Sequence, residues 1–233
     1  MSRLVLVRHG QASFRPGVSD DYDRLSVTGE KQAVALGEYW ARTGVRFDRA
    51  IRGPAKRHAR TGALAQVGET DVMAEFDEYP AFEVMRTALP GLVRQDEDIA
   101  AMEREYQRQI EPVEAARAFE RLFQKVMRMW ARAEVEAEGV ETWAEFMGRV
   151  RRGLENVRRE AGQNSRVVVF TSGGPVAVAM REALGLSAEK TMELSWASRN
   201  GGFSEFIFSG ARFSLGGFNH SPHLEGPELE TYR

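Results

Sequence analysis

Leu4-Val5-Leu6-Val7-Arg8-His9-Gly10 is the segment that most strongly indicates the fold of this chain. An apolar run that ends in a polar cluster and a glycine is typical of a buried strand that delivers side chains to the edge of a sheet. Open α/β sheets bind their ligands at that edge. The stretch therefore predicts a pocket that Arg8 and His9 share.

An arginine and a histidine in one pocket favour phosphoryl chemistry. The guanidinium grips two phosphate oxygens, while a neutral imidazole nitrogen attacks phosphorus and carries the group covalently. Gly10 would let the backbone approach an anion closely. The competing interpretation is a surface arginine beside a chance histidine, and the tripeptide alone leaves both open.

Composition is that of an ordinary enzyme. The chain has 233 residues, of which 42% are hydrophobic, so residues 1–233 can form a single domain with one core. The formal net charge of −2 gives no indication of nucleic acid or a membrane surface as partner. The chain has no cysteine, which excludes disulfides and thiolate chemistry. The first apolar run is too short for a signal-peptide core, so a cytoplasmic protein is expected.

Strands and helices are predicted to alternate along the chain, which indicates an α/β fold: a three-layer αβα sandwich with a mostly parallel sheet. Residues 83–139 differ, because they are charged, rich in methionine and without strand signals. They are predicted to form a helical cap insertion, and the residues after Phe218 a loose surface segment. An apolar stripe on the helix after Pro112 is interpreted as packing, inside the chain or across a homodimer; its members are Phe119, Leu122, Phe123, Val126 and Trp130.

Two further turns between a strand and a helix carry candidate phosphate ligands. Arg57 lies on the helix predicted after Gly53-Pro54, and Ser172-Gly173-Gly174 opens a helix after the predicted central strand. A helix N-terminus offers free N–H groups and a positive dipole to an anion. Taken singly, Arg57 can be a solvated helix residue and the two glycines a tight turn.

Together these motifs resemble the histidine phosphatase superfamily, the phosphoglycerate mutase-like proteins. The similar segments occur in family order and are Arg8-His9-Gly10-Gln11, Leu25 to Ala33, Gly53 to His58, and Val140-Glu141-Thr142.

The resemblance implies a phosphomonoester hydrolase that works through a phosphohistidine. His9 would take the phosphoryl group, Arg8 and Arg57 would hold its oxygens, and Glu78 would protonate the leaving oxygen. The neighbouring carboxylates Asp77, Glu75 and Glu83 compete with Glu78 for that role. The expected ligand is a phosphorylated small molecule or a phosphoprotein. No cofactor is expected, and no metal either, because arginines flank His9 and His58.

The sequence departs from the family pattern at the end of the central strand. The family has Ser-His-Gly-Gly where this chain has Thr171-Ser172-Gly173-Gly174. Ser172 donates a neutral hydrogen bond in place of an imidazolium, and losing one charge-stabilising donor costs on the order of 3 kcal/mol. Two readings follow: an enzyme of reduced activity, or a non-catalytic module that binds a phosphate ligand or a phosphoprotein.

His58 is a candidate to replace the lost imidazole, because it adjoins Arg57. Neighbouring helical residues point about 100° apart, however, which would place His58 beside the pocket rather than in it. Gly53 stands where the family has a small hydroxyl residue, and Ala12 where many members have Ser or Thr. The pocket is therefore expected to have fewer polar donors than the family pattern provides.

Overall fold

The computed structural model describes residues 1–13, 23–135 and 137–232. Most of the loop predicted between Gln11 and Asp23, residues 14–22, lies outside these ranges. Within them the strands are β1 Ser2–Arg8, β2 Arg49–Arg52, β3 Asp71–Val72, β4 Arg166–Thr171, β5 Phe203–Ser209 and β6 Arg212–His220. They form a sheet with the order β3-β2-β4-β1-β5-β6. Strands β1 to β4 pair in parallel, and β5 and β6 join antiparallel at one side.

The helices are α1 Val27–Thr43, α2 Lys56–Leu64, α3 Ala81–Gln95, α4 Glu97–Arg108, α5 Pro112–Ala131, α6 Trp143–Glu160, α7 Gly173–Leu184 and α8 Ala188–Ala197. Helix α1 begins where the side chain of Ser26 accepts the N–H of Gly29, and it ends at Gly44 in the left-handed conformation. The predicted α/β fold with a mostly parallel sheet is confirmed. Helix α8 was not predicted, and the third strand is only two residues long.

Strand β1 lies inside the sheet because its apolar run needs neighbours on every side. Leu4, Leu6 and Val7 are fully buried. The strand pairs in parallel with β4, and in that register Arg8 is opposite Thr171. The two strands therefore end side by side, which brings His9 next to Ser172.

The chain divides into two compact units, residues 1–78 with 148–233, and residues 79–147. The first unit contains the sheet. The second is helical, and an aromatic cluster forms its centre, with Trp130 packed 5.7 Å from Tyr79 and 5.5 Å from Trp143 between ring centroids. The apolar stripe of α5 is buried there, except for the half-buried Phe119. A single domain with residues 83–139 as an insertion stays a prediction.

The residues after Phe218, which the sequence led us to expect as a loose surface segment, are held in place. The amide nitrogen of Gln32 donates to the carbonyl of Leu229 at 2.7 Å. The backbone N–H of Asn200 donates to the carbonyl of Thr231 at 2.8 Å. His223 is buried against Tyr39 and Phe203. The expectation is wrong because an apolar pocket and backbone hydrogen bonds anchor the segment. Within the described ranges, none of the helices has the length and apolar character that a membrane span requires.

Candidate active site

His9 lies at the end of β1, and its backbone is fixed on both sides. Its N–H donates to the carbonyl of Thr171 at 2.8 Å, and its carbonyl accepts the N–H of Gly201 at 3.1 Å. The ring nitrogen Nδ1 lies 2.7 Å from the carbonyl oxygen of Gly10. Since a carbonyl can only accept, Nδ1 carries the proton and Nε2 presents a lone pair. This tautomer is the one that a nucleophile at Nε2 requires.

The electrostatic surroundings keep His9 neutral. Burial lowers the pKa of His9 well below its usual value, and the positive charges of Arg57 and Arg8 lower it further. An imidazole that is neutral throughout the physiological pH range is a competent nucleophile. The same two guanidinium groups supply positive charge to an anion that approaches it.

The structure shows a packing reason for glycine at position 10, while the close approach to an anion stays a prediction. A Cβ atom on Gly10 would lie 2.3 Å from the carbonyl oxygen of Gly29, and one on Gly29 would lie 2.1 Å from the carbonyl oxygen of Gln11. The two backbones touch, so neither position has room for a side chain. Gly10 therefore serves the packing of the His9 loop against α1.

Arg8 and Arg57 are both buried and both hydrogen-bonded. Arg8 donates from Nη1 to the carbonyl of Ser198. Arg57, from the first turn of α2, donates from Nη1 to a carboxylate oxygen of Asp23 at 3.1 Å and from Nη2 to the hydroxyl of Ser172 at 3.4 Å. Asp23 thus contacts the guanidinium that is the candidate phosphate ligand.

Ser172 and Gly173 begin α7 beside His9. Ser172 is fully buried in an extended conformation and is the N-cap residue of the helix. A Cβ atom on Gly173 would lie 2.4 Å from the carbonyl oxygen of Ser195, so the glycine is required where α7 packs against α8. The next N–H, that of Gly174, donates to the carboxylate of Glu78 at 3.1 Å. The helix N-terminus therefore already holds one carboxyl group.

The carboxylates that are candidates for the acid lie at different places in the fold. Glu78 lies at the α7 N-terminus, whereas Asp77 accepts the N–H of Glu78 at 2.9 Å. Burial raises the pKa of Asp77 above its usual value. Arg149 fixes this loop, because its Nη1 donates to the carbonyls of Ala74, Glu75 and Asp77 at 3.0 to 3.2 Å. Glu83 lies on α3, in the helical unit.

His58 is fully buried and lies in the site. Its Nε2 atom is 2.7 Å from the hydroxyl oxygen of Ser172, and its ring centroid is 5.7 Å from that of His9. His58 does not lie beside the pocket, as its position next to Arg57 predicted, because the Ser172 hydroxyl is within reach of two successive side chains of α2. Burial lowers the pKa of His58 well below its usual value, as do the charges of Arg57 and Arg52.

Sequence reasoning missed Asp23, Arg149 and Asn200. The amide of Asn200 donates to the carbonyl of His9 at 3.5 Å. None of the three lies in a recognisable motif, and each reaches the site only through tertiary contacts. Among the described residues, no group of three or more His, Asp or Glu side chains is arranged to hold a metal ion.

A family model described as histidine phosphatase superfamily (branch 1) matches residues 4–134 and 97–221. No curated protein matches the chain.

Solved structures share the fold at low identity. A phosphoserine phosphatase from Entamoeba histolytica, in complex with 3-phosphoglyceric acid, has a TM-score of 0.64 at 17% identity, covering 96% of this chain and 100% of that one. The alpha-ribazole phosphatase from Shigella flexneri has a TM-score of 0.62 at 16% identity, with 94% and 96% covered. A mycobacterial glucosyl-3-phosphoglycerate phosphatase has a TM-score of 0.60 at 20% identity, with 94% and 99% covered.

Proposed function

Because the chain belongs to branch 1 of the histidine phosphatase superfamily, we propose that it hydrolyses phosphomonoesters through a phosphohistidine formed on His9. The observation that carries the proposal is the hydrogen bond of 2.7 Å from Nδ1 of His9 to the carbonyl of Gly10. It leaves the Nε2 lone pair available beside Arg8 and Arg57. A neutral imidazole between two guanidinium groups is suited to attack a phosphoryl group whose negative charge those groups balance.

In the first step, Nε2 of His9 forms a bond to phosphorus as the bond from phosphorus to the ester oxygen breaks. Glu78 gives its proton to that leaving oxygen. Arg8 and Arg57 hold the other phosphoryl oxygens, with Ser172 and the N–H of Gly173 as further donors. In the second step, water attacks phosphorus, Glu78 takes a proton from the water, and the bond between Nε2 and phosphorus breaks. Inorganic phosphate leaves and His9 is neutral again.

The proposed substrate class is a phosphorylated small molecule, with a phosphoprotein as the second candidate. The similar solved structures include proteins named as phosphatases of small phosphorylated metabolites, which favours the first class. We further propose that the protein is cytoplasmic and that it forms one domain, with residues 83–139 as an insertion in that domain. We expect it to bind neither nucleic acid nor a membrane. A panel of sugar phosphates, phosphoamino acids and phosphopeptides tests the substrate class, and sedimentation tests for a homodimer.

The competing function is a module that binds a phosphate ligand without turnover. The observation in its favour is Ser172, which leaves that position without an imidazole. Against it is the neutral His9, since a site for binding alone gains nothing from a tautomer with a free Nε2 lone pair. The proposal therefore favours catalysis.

The decisive experiment measures hydrolysis of an aryl phosphate between about pH 4 and 8 by the native protein and by His9→Ala. Turnover by the native protein alone supports the phosphohistidine mechanism. Rapid acid-free quenching with labelled substrate should then trap about one phosphoryl group per chain, absent in His9→Ala. Equal inactivity of both proteins across the substrate panel, with phosphate binding retained, would establish the binding module instead.

A further inference from the structure

Gly53, His58 and Ser172 fit together around the His58 ring. His58 and Ser172 are 114 residues apart and 2.7 Å from each other. A Cβ atom on Gly53 would lie 2.5 Å from Nδ1 of His58, so the His58 ring fits only because residue 53 has no side chain. Gly53 and Ser172 stand at two of the positions where this chain departs from the pattern it resembles, and both contact His58. The shared contact indicates a single arrangement rather than two separate losses.

The hydrogen-bond capacity of Ser172 determines what this arrangement does. A hydroxyl has two lone pairs and one proton. Arg57 can only donate, so its Nη2 atom, 3.4 Å away, occupies one lone pair. If Nε2–H of His58 donates to the second lone pair, the Ser172 proton remains for another acceptor. If His58 accepts instead, a lone pair of Ser172 faces the pocket.

A phosphoryl group selects between these two states, because its unprotonated oxygens only accept hydrogen bonds. It is stabilised by the state in which Ser172 donates and is repelled by a lone pair. Nδ1 of His58 lies beside the Gly53 backbone, which interacts with it without meeting the geometry of a hydrogen bond. That contact does not decide which nitrogen carries the proton. A bound phosphoryl group decides it, because the Ser172 proton is available to the group only when Nε2 of His58, 2.7 Å away, donates to the hydroxyl.

We propose that His58 is a positioning residue that, by donating from Nε2 to the Ser172 hydroxyl, directs the hydroxyl proton toward the phosphoryl group bound between Arg57 and His9. The imidazole acts from α2 through a serine on α7. The inference rests on the proposed function, because its ligand is a phosphoryl group bound at His9. It adds His58 to the site as a residue that acts on this ligand through Ser172.

The test is a double-mutant cycle on phosphate affinity, which can be measured whether or not the protein turns over. Calorimetry with inorganic phosphate is applied to the native protein, His58→Met, Ser172→Ala and the double variant. Methionine fills a similar volume without a donor. We expect each single variant to bind about tenfold more weakly, because one hydrogen bond to a charged group is lost. The double variant should lose no more than about twofold beyond Ser172→Ala, because both changes remove the same bond.

His58→Gln separates positioning from packing. A glutamine amide can place an N–H near the position of the imidazole Nε2, so this variant should keep phosphate affinity within about threefold of native. A residue needed only to fill space would respond alike to Gln and Met. Thermal unfolding of every variant checks that the fold is intact.

Two results would overturn the inference: equal losses in His58→Gln and His58→Met, or additive losses in the double variant. If the native protein and His9→Ala are equally inactive in hydrolysis, the proposed function fails, but the phosphate-binding cycle still decides the role of His58. Where turnover is present, kcat/KM should show the same coupling, with a loss of about a hundredfold in Ser172→Ala.

Discussion

The carboxylate of Glu78 lies at the N-terminus of α7, where it accepts the backbone N–H of Gly174 at 3.1 Å. This contact ties the loop after the third strand to the turn that follows the central strand. It also places the Glu78 carboxyl group next to the N–H of Gly173, which is proposed to bind phosphate.

Glu78→Gln should therefore remove the acid that protonates the leaving oxygen. With an alkyl phosphate, whose leaving group needs a proton, we expect kcat/KM to fall about a hundredfold or more. With a nitrophenyl phosphate, whose leaving group departs unaided, the loss should be much smaller. Asp77→Asn is the matched control and should not show this dependence on leaving group. If Asp77→Asn shows it and Glu78→Gln does not, the acid is Asp77, whose pKa burial raises.

Gly10→Ala should destabilise the protein, since its Cβ atom would lie 2.3 Å from the carbonyl oxygen of Gly29. Forcing the two backbones apart should cost about 1–3 kcal/mol in the free energy of unfolding and displace His9. Gly162→Ala is the control, because nothing lies within 4 Å of a Cβ atom at that position. Urea denaturation of both variants measures the difference. Equal stability would show that the His9 loop tolerates a side chain at position 10.

Asp23→Asn should strengthen phosphate binding. The Asp23 carboxylate lies 3.1 Å from Nη1 of Arg57 and competes with phosphate for that guanidinium. Removing its charge should lower the inhibition constant of inorganic phosphate about threefold, as expected for a partly exposed ion pair. Glu30→Gln, which removes the exposed pair with Arg60 at 2.8 Å, should leave that constant unchanged. Weaker binding in Asp23→Asn would mean that Asp23 positions Arg57 for phosphate.

Stability should fall as the pH drops below about 6.5, the ordinary histidine pKa. His9, His58 and His223 all have lowered pKa values in the folded protein, so the unfolded chain binds more protons in this range. Burial lowers the pKa of His223 to about 4, so His223 contributes to the loss of unfolding free energy down to about that pH.

His223→Phe isolates one of these contributions, because the ring packs between Tyr39 and Phe203. The unfolding free energy of this variant should decline less steeply between pH 6.5 and about 4, by up to about 1.4 kcal/mol per pH unit. Denaturation at several pH values measures the slope. Parallel curves for the variant and the native protein would contradict a neutral, buried His223.

Activity should persist in a metal chelator. The guanidinium groups of Arg8 and Arg57 act on His9 strongly enough to lower its pKa, and the same positive charge disfavours a divalent cation there. Assays with and without EDTA should give the same kcat/KM. Loss of turnover in EDTA that is restored by a metal ion would overturn the phosphohistidine mechanism.

The sequence predicted those features that depend on neighbouring residues along the chain. The apolar run of β1 is such a local signal, and the strand occurs where it was expected. Helix α8 was missed, although Ser187 caps it, because its weakly amphipathic sequence gives no clear helical periodicity. The close contact between Gly10 and Gly29 was also hidden, because a glycine in a sequence does not reveal which backbone approaches it.

The order of residues was enough to predict that strand ends bring Arg8, His9 and Ser172 to one edge of a sheet, because parallel buried strands leave their carboxyl ends together. The folded chain was needed to show that His58 reaches Ser172, that Asp23 contacts Arg57 and that the C-terminal residues bury His223. These contacts join side chains that are distant in the chain. They depend on the packing of α2 and of the C-terminal segment against the sheet unit, which residue order alone does not specify.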